Sequence, residues 1–416
     1  MLERVLRIVI LVLLGAATSG CAAVVQTPAP TRLSAVSPTI SPAPSRTAQP
    51  TTRPSPTASP LPSPLTGWRL LLEGSNLEPI WSPDGTHLLV SATRTFPDEV
   101  AAVYVLTPDG ESVASVSDAA LPVWIDSDRF LAYRWSTKPY RGESNHAPAF
   151  VGSIRSGQLV EFEAPYGWTV SNGLGAVAIG RAREREDEIA RTDYIVWTGG
   201  DDATESRSGY PIRWSIEGDM LALLHPVTPT RGIGGWLEVV SWPGLDTIFE
   251  DQSEPVIFRA RFSPTSEHVA YFDFVGDAPG PYNYFIYVVD LKSSETIRIA
   301  IDDHTDFRWN ASGEIVALSA YGSIDTYSSA GDLIASEPVD PYVMIEASAD
   351  GSTTLFSEGE EATAVSVGTV GSLVNIPLPE GTMPRLALSP NGDHVSVVLA
   401  DPRQTNDWQR LFVYDL

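Results

Sequence analysis

The chain has 416 residues and a formal net charge of −25, with 27 basic and 52 acidic residues. A surface that acidic repels phosphate backbones and anionic headgroups, which excludes nucleic acid as a partner. A single cysteine, Cys21, also excludes any internal disulfide framework. The N-terminus opens with Arg4 and Arg7, continues as an apolar run from Ile8 to Leu14, and passes through small residues, GAATSG, into Cys21. That order is the layout of a secretory signal. An uncleaved membrane anchor from about Ile8 to Val25 is the alternative, since that run just reaches spanning length.

The signal segment, residues 1–21, resembles a bacterial lipoprotein signal. In such signals the cysteine is lipidated and becomes the new N-terminus. Ser19 and Gly20 fit that pattern, and Thr18 stands where the family usually has Leu. The resemblance implies lipidation at Cys21, a membrane partner through that lipid anchor, and a body held in the cell envelope outside the cytoplasm.

Residues 22–67 change composition abruptly, to a run dominated by Pro, Ser, Thr and Ala without aromatics. Such a run cannot bury a core and favours extended polyproline-like conformations. It is expected to act as a disordered tether with a reach of ~100 Å at ~3.1 Å per residue. Its Ser/Thr-Pro content also permits O-glycosylation. Removing the five arginines and one glutamate that precede Gly67 leaves the rest of the chain at about −29.

From Trp68 onward aromatics and turn residues recur steadily. Trp81-Ser-Pro-Asp-Gly85 is followed, seven to nine residues after the tryptophan, by Leu88, Leu89 and Val90. Trp124, Val170, Trp214, Phe262, Trp309, Ala347 and Leu388 occupy the same place in further copies, 38 to 48 residues apart. Gly85, Gly218, Gly313, Gly351 and Gly392 sit four residues after the reference, where a tight hairpin needs positive φ. Asp128, Leu174 and Ser266 replace that glycine in copies two, three and five, so those turns are expected to differ. Each copy then offers a third strand, such as Val103-Tyr104-Val105 or Ile286-Tyr287-Val288-Val289.

A period near 44 residues with four short strands is that of a propeller blade. The eighth copy has only three strands, and an unmatched strand, 68–73, follows the tether. The expected fold is therefore all-β: an eight-bladed β-propeller over residues 68–416, closed by pairing of strand 68–73 with strand 411–416. Closure leaves no sheet edge open at the seam. The aromatic-Ser-Pro-Asp-Gly units, each with an apolar strand and an Ile-Tyr-Val-like strand after it, resemble the repeats of TolB-type propellers, related in form to WD-repeat propellers. The family's separate N-terminal domain is replaced here by the tether. The aromatics at 81, 124, 214, 262 and 309 are expected to pack between blades, above a layer of small residues at Ala132, Ala178, Ala222, Ala270, Ala317 and Ser396.

The turns between strands two and three lengthen in blades two to five, and long loops on a rigid scaffold are where binding sites are built. Trp135, Tyr140, Arg141, His146, Arg231, Trp236 and Tyr282 lie in or beside them. They form a candidate binding rim suited to a protein, peptide or glycan of the envelope. Arg181 to Arg191 is the longest helix candidate, but it is charged nearly all round and reads as a solvated excursion. Asp302-Asp303-His304-Thr305-Asp306 offers oxygen ligands for Ca²⁺ without a glycine-bearing calcium loop, so a solvated turn is expected there and no metal is assigned. No Gly-x-Ser-x-Gly elbow or paired histidine spacing occurs, and no catalytic residue or cofactor is assigned. A binding or scaffold propeller is therefore the favoured reading. A propeller enzyme of lyase, lactonase or glycosidase type, with carboxylates at the central channel, is the alternative.

Overall fold

The structure, a computed structural model, describes residues 67–416 apart from 95–99, 136–145, 166–167, 184–190, 199–206, 227–234, 252–258, 276–282, 302–303, 320–321, 339–343, 358–362, 370–371, 380–381 and 401–407. The signal segment and nearly all of the tether lie outside the described residues. Among those described, the chain is built from 32 strands in eight antiparallel sheets of four, with no helix. Seven sheets take their strands in chain order. The eighth begins at Thr382–Leu388, continues through His394–Ala400 and Trp408–Asp415, and receives Trp68–Ser75 as its outermost strand. The ladder runs from Trp68 opposite Tyr414 to Ser75 opposite Trp408, with a bulge between Leu70 and Leu72. The closing strands are thus somewhat longer than the 68–73 and 411–416 expected, and the ring closes in the expected way.

The core is divided among the blade interfaces. Eight buried apolar clusters each join residues of two neighbouring blades. Leu77, Trp81, Leu88 and Val90 of the first blade meet Val398, Leu411 and Val413 of the last. The small residues foreseen for the crowded layer, Ala132, Ala178, Ala222, Ala270, Ala317 and Ser396, are all fully buried. A side chain larger by even one methylene would force the blades apart there.

Four of the aromatic reference residues are tryptophans that stitch each innermost strand to the blade before it. Trp124 Nε1 donates to Ile80 O at 3.0 Å, Trp214 Nε1 to Val170 O at 2.8 Å, and Trp309 Nε1 to Arg261 O at 3.0 Å. Trp81 Nε1 makes the same bond across the seam, to Ala387 O at 3.3 Å. Each indole therefore buries its rings between sheets while its one donor satisfies a carbonyl of the neighbouring innermost strand.

The turn after each reference residue has its own device. In the first blade Ser82 Oγ donates to Asp84 Oδ1 at 2.6 Å and accepts from His87 N at 2.9 Å. Ser215, Ser263, Ser348 and Ser389 accept from the backbone N–H five residues on in the same manner. The five glycines foreseen at positive φ lie between 70° and 77°. Ser266 does not make a different turn, as expected of it; it takes φ 58° and keeps the bond from its N–H to Ser263 O. The scaffold imposes the left-handed conformation on a serine. In copy three the turn does differ, with Gly173 and Gly175 at positive φ on either side of Leu174.

Two local expectations need correction. The helix candidate 181–191 begins inside the strand Val177–Arg183 and ends at the start of the strand Arg191–Trp197, which pair as a hairpin. Asp306 is not in a solvated turn: it belongs to the innermost strand His304–Trp309 and is 2% exposed.

Candidate functional site

The eight innermost strands, Glu78–Trp81, Ala119–Trp124, Trp168–Ser171, Tyr210–Trp214, Arg259–Phe262, His304–Trp309, Met344–Ala347 and Thr382–Leu388, surround the axis of the ring. Side chains alternate along a strand. The reference residue therefore turns into the blade interface, and the residue just before it turns toward the channel. Around the ring those preceding residues are Ile80, Val123, Thr169, Arg213, Arg261, Arg308, Glu346 and Ala387. In this layer charge is confined to four adjacent blades, four to seven; two residues earlier, Glu78 and Arg385 are exposed on blades one and eight.

The charged group forms one connected cluster. Asp306 takes Arg259 Nη1 at 2.5 Å and Arg308 Nη1 at 2.8 Å, with Arg261 Nη2 at 3.7 Å. Arg308 also reaches the next blade, its Nη2 donating to Glu346 Oε1 at 2.9 Å. Arg308 is buried, whereas Arg213 is exposed at its surface but ringed closely enough by protein that its charge is partly desolvated. Arg213 makes no ion pair among the described residues, and Arg261 Nε is buried without a hydrogen-bond partner. Four guanidiniums thus gather about two carboxylates in this cluster of a strongly acidic protein.

The electrostatics follow from that excess. Burial pushes the Arg261 guanidinium down to about 9, Arg308 and Arg213 push the same way, and Asp306 and Glu346 oppose them. The group still holds its proton at neutral pH. Arg213 is lowered by the same burial and by Arg308, against the attraction of Glu346 on blade seven. Arg308 and Glu346, on the blades two and three further round, are the charges that act on Arg213. For Asp306, burial works to raise the carboxyl, but Arg308, Arg259 and Arg261 outweigh it and hold it below the usual carboxylate range.

Of the rim residues foreseen from sequence, Trp135 and Trp236 lie at the end of the ring where strand two turns into strand three. Trp135 follows the strand Arg129–Arg134 and donates its N–H to Asp118 O. Trp236 stacks on His225 with centroids 3.7 Å apart and planes 4° apart, and His225 Nε2 bonds Glu238 Oε2 at 2.8 Å. The Trp236 ring is thus held against its own blade rather than left as an open stacking platform. His146 begins the strand His146–Ser153 instead of sitting in a loop. Tyr140, Arg141, Arg231 and Tyr282 lie outside the described residues. Trp135 and His146 flank the same hairpin of blade two, and Trp236 belongs to blade four.

The channel arginines were missed from sequence although a signal was present. They sit one residue before the reference positions 214, 262 and 309, so the repeat register alone aligns them in one layer. Among the described residues no group of three His, Cys, Asp or Glu gathers as a metal site. Asp306, the described carboxylate of the run considered for Ca²⁺, is already occupied by arginines.

No protein-family model matches the chain, and no curated protein matches its sequence. Among solved structures it is similar to one described as the Dos1 propeller, at 10% identity and a TM-score of 0.53, covering 83% of this chain and 93% of that one. It is also similar to one described as the eukaryotic initiation factor, at 12% identity and a TM-score of 0.52, covering 82% and 86%. At those identities the likeness is one of fold alone.

Proposed function

We propose that this protein is a membrane-tethered, extracytoplasmic binding or scaffold propeller of TolB type. Cys21 carries the lipid anchor, residues 22–67 hold the ring away from the membrane, and the ring engages a protein, peptide or glycan of the cell envelope. The signal-like N-terminus and the Pro/Ser/Thr-rich run support the location. The repeat signature supports the family, and the closed propeller is a rigid scaffold for binding.

One observation favours binding over catalysis: the two carboxylates of the charged cluster, Asp306 and Glu346, are held by arginines. A general base must accept a proton readily and a general acid must give one up near the working pH. Asp306, kept ionised by three guanidiniums, is poorly suited to either. A cluster of that kind holds charge in place; it does not move protons. The test is affinity capture with the immobilised full-length chain against envelope extract and a glycan array. A specific, saturable partner in either supports the reading, and a chain that retains nothing from both contradicts it.

A further inference from the structure

The channel wall is two-sided. In a closed ring of eight, blade four stands opposite blade eight, five opposite one, and six opposite two. The residues that face Arg213, Arg261 and Arg308 across the axis at equivalent register are therefore Ala387, Ile80 and Val123. Ile80 is 40% exposed although it lies in an innermost strand, and Val123 and Ala387 are partly exposed. At this register the residues opposite the cations are apolar, while Glu78 and Arg385 are exposed two residues earlier on the same innermost strands.

We propose that the channel binds a small organic anion. Its oxyanion head, a carboxylate or a phosphate, would sit on the Arg213–Arg261–Arg308 layer, and its apolar body would lie against Ile80 and Val123. The proposal deepens the binding reading above and rests on it.

Three features carry this assignment. Two of the guanidiniums have unused capacity: Arg213 has no ion pair among the described residues, and Arg261 Nε is a buried donor without an acceptor. A buried donor left unmade is costly, and an oxyanion reached by several N–H groups satisfies it. Next, four guanidiniums outnumber two carboxylates, so cations that repel one another would be relieved by one or two added negative charges. Planar guanidinium forks suit carboxylate and phosphate geometry. Finally, the backbone that carries Arg261 is fixed by the Trp309 indole, and Arg308 is braced between Asp306 and Glu346. The donors are thus held in place before a ligand arrives, which lowers the ordering cost of binding. The acidic exterior disfavours polyanions such as nucleic acid, so a small anion able to enter the lumen is the class that fits.

The test is calorimetric titration of the full-length chain with phenyl phosphate, benzoate, inorganic phosphate and benzyl alcohol. One equivalent of phenyl phosphate or benzoate should bind per chain, and whichever binds more tightly identifies the preferred head. Inorganic phosphate should bind at least tenfold more weakly for want of an apolar body, and benzyl alcohol should show no heat of binding. Arg213→Gln should weaken the preferred anion at least tenfold, while Arg155→Gln on the exposed surface should leave it unchanged. Arg213 makes no ion pair, so its variant should keep the wild-type melting temperature. Should that variant fail to fold, Arg261→Lys takes its place and should weaken binding likewise. Failure of both aromatic anions to bind, or binding that neither channel variant weakens, overturns the site. Inorganic phosphate binding as tightly as phenyl phosphate overturns the apolar half. A chain that captures an envelope partner but ignores these anions would sink this site alone and leave the binding function standing.

Discussion

The guanidinium of Arg69 and the carboxylate of Asp415 meet as a two-pronged fork, Nη1 to Oδ2 and Nη2 to Oδ1, each at 2.5 Å, between strands 346 residues apart in sequence. His394 adds a second hold on Asp415, its Nδ1 lying 2.9 Å from Oδ1. The fork marks the seam of the ring, but it is exposed, and exposed pairs contribute little. Arg69→Ala is expected to cost about 0.5–1 kcal/mol. Leu411→Ala, which removes a fully buried side chain at the same seam, should cost about 2–5 kcal/mol. Denaturant unfolding of the two variants checks the ranking. Equal losses would mean that charge, and not burial, holds the last blade.

Acid should loosen the ring through its aspartates. Asp415 lies below its ordinary pKa, chiefly through the hydrogen bond from Arg69. In Asp84 and Asp350 burial acts to raise the value and turn hydrogen bonds more than offset it. Asp306 is lowered by its arginines against the same opposition. A carboxyl lowered in the folded state binds fewer protons there than in the unfolded chain. Its stabilisation is complete above the unfolded value, about 3.9, and is lost as pH falls through the folded value. Stability should therefore be insensitive to these groups near neutrality and fall steadily below about pH 4. Thermal melts from pH 6 to pH 2 test this, and Asp306→Asn should flatten the acid limb.

The indole bonds between blades should be measurable one at a time. Trp309→Phe keeps most of the buried ring but removes the donor to Arg261 O, leaving that carbonyl unpaired between two sheets. An expected loss of about 1–3 kcal/mol follows from one unsatisfied buried group. The same substitution should also weaken anion binding, because it frees the backbone that carries Arg261. Stability lost with no change in binding would show that the channel layer is held by its ion pairs alone.

Ser266 offers a stabilising substitution. It sits at φ 58° where five other copies have glycine, and its Oγ is buried without a partner. Ser266→Gly should relieve backbone strain and delete an unsatisfied hydroxyl, raising stability by about 0.5–1 kcal/mol. A destabilised variant would mean that the hydroxyl fills space more effectively than it strains the turn.

The tether makes a prediction in cells. Cys21→Ala should move the protein out of the membrane fraction, and metabolic labelling with a fatty-acid analogue should mark the wild type only. A variant that still fractionates wholly with membranes would point to the run from about Ile8 to Val25 as an uncleaved anchor.

Much of the ring could be read from residue order because its devices are local. The Trp81-Ser-Pro-Asp-Gly85 turn is closed by atoms within five residues of one another, so each copy declares itself in sequence. Closure was equally legible, since a blade short of one strand and a spare strand at 68–73 are two halves of one count. The same local logic misjudged Asp306, Ser266 and the ends of Arg181–Arg191, where 181–183 and 191 are strand. Burial, a scaffold-imposed φ and pairing with a neighbouring strand are set by surroundings that a short window does not contain.

The chain order alone thus determined the number of blades, the seam and the aromatic layer, because a repeated pattern of period two and period 44 admits few other packings. Only the tertiary structure decided where chemistry could sit. Arg213, Arg261, Arg308 and Glu346 are separated by dozens of residues and lie on four blades. Only circular closure brings their side chains into one lumen, where mutual repulsion, burial and the apolar residues opposite at the same register give them a property that none has alone.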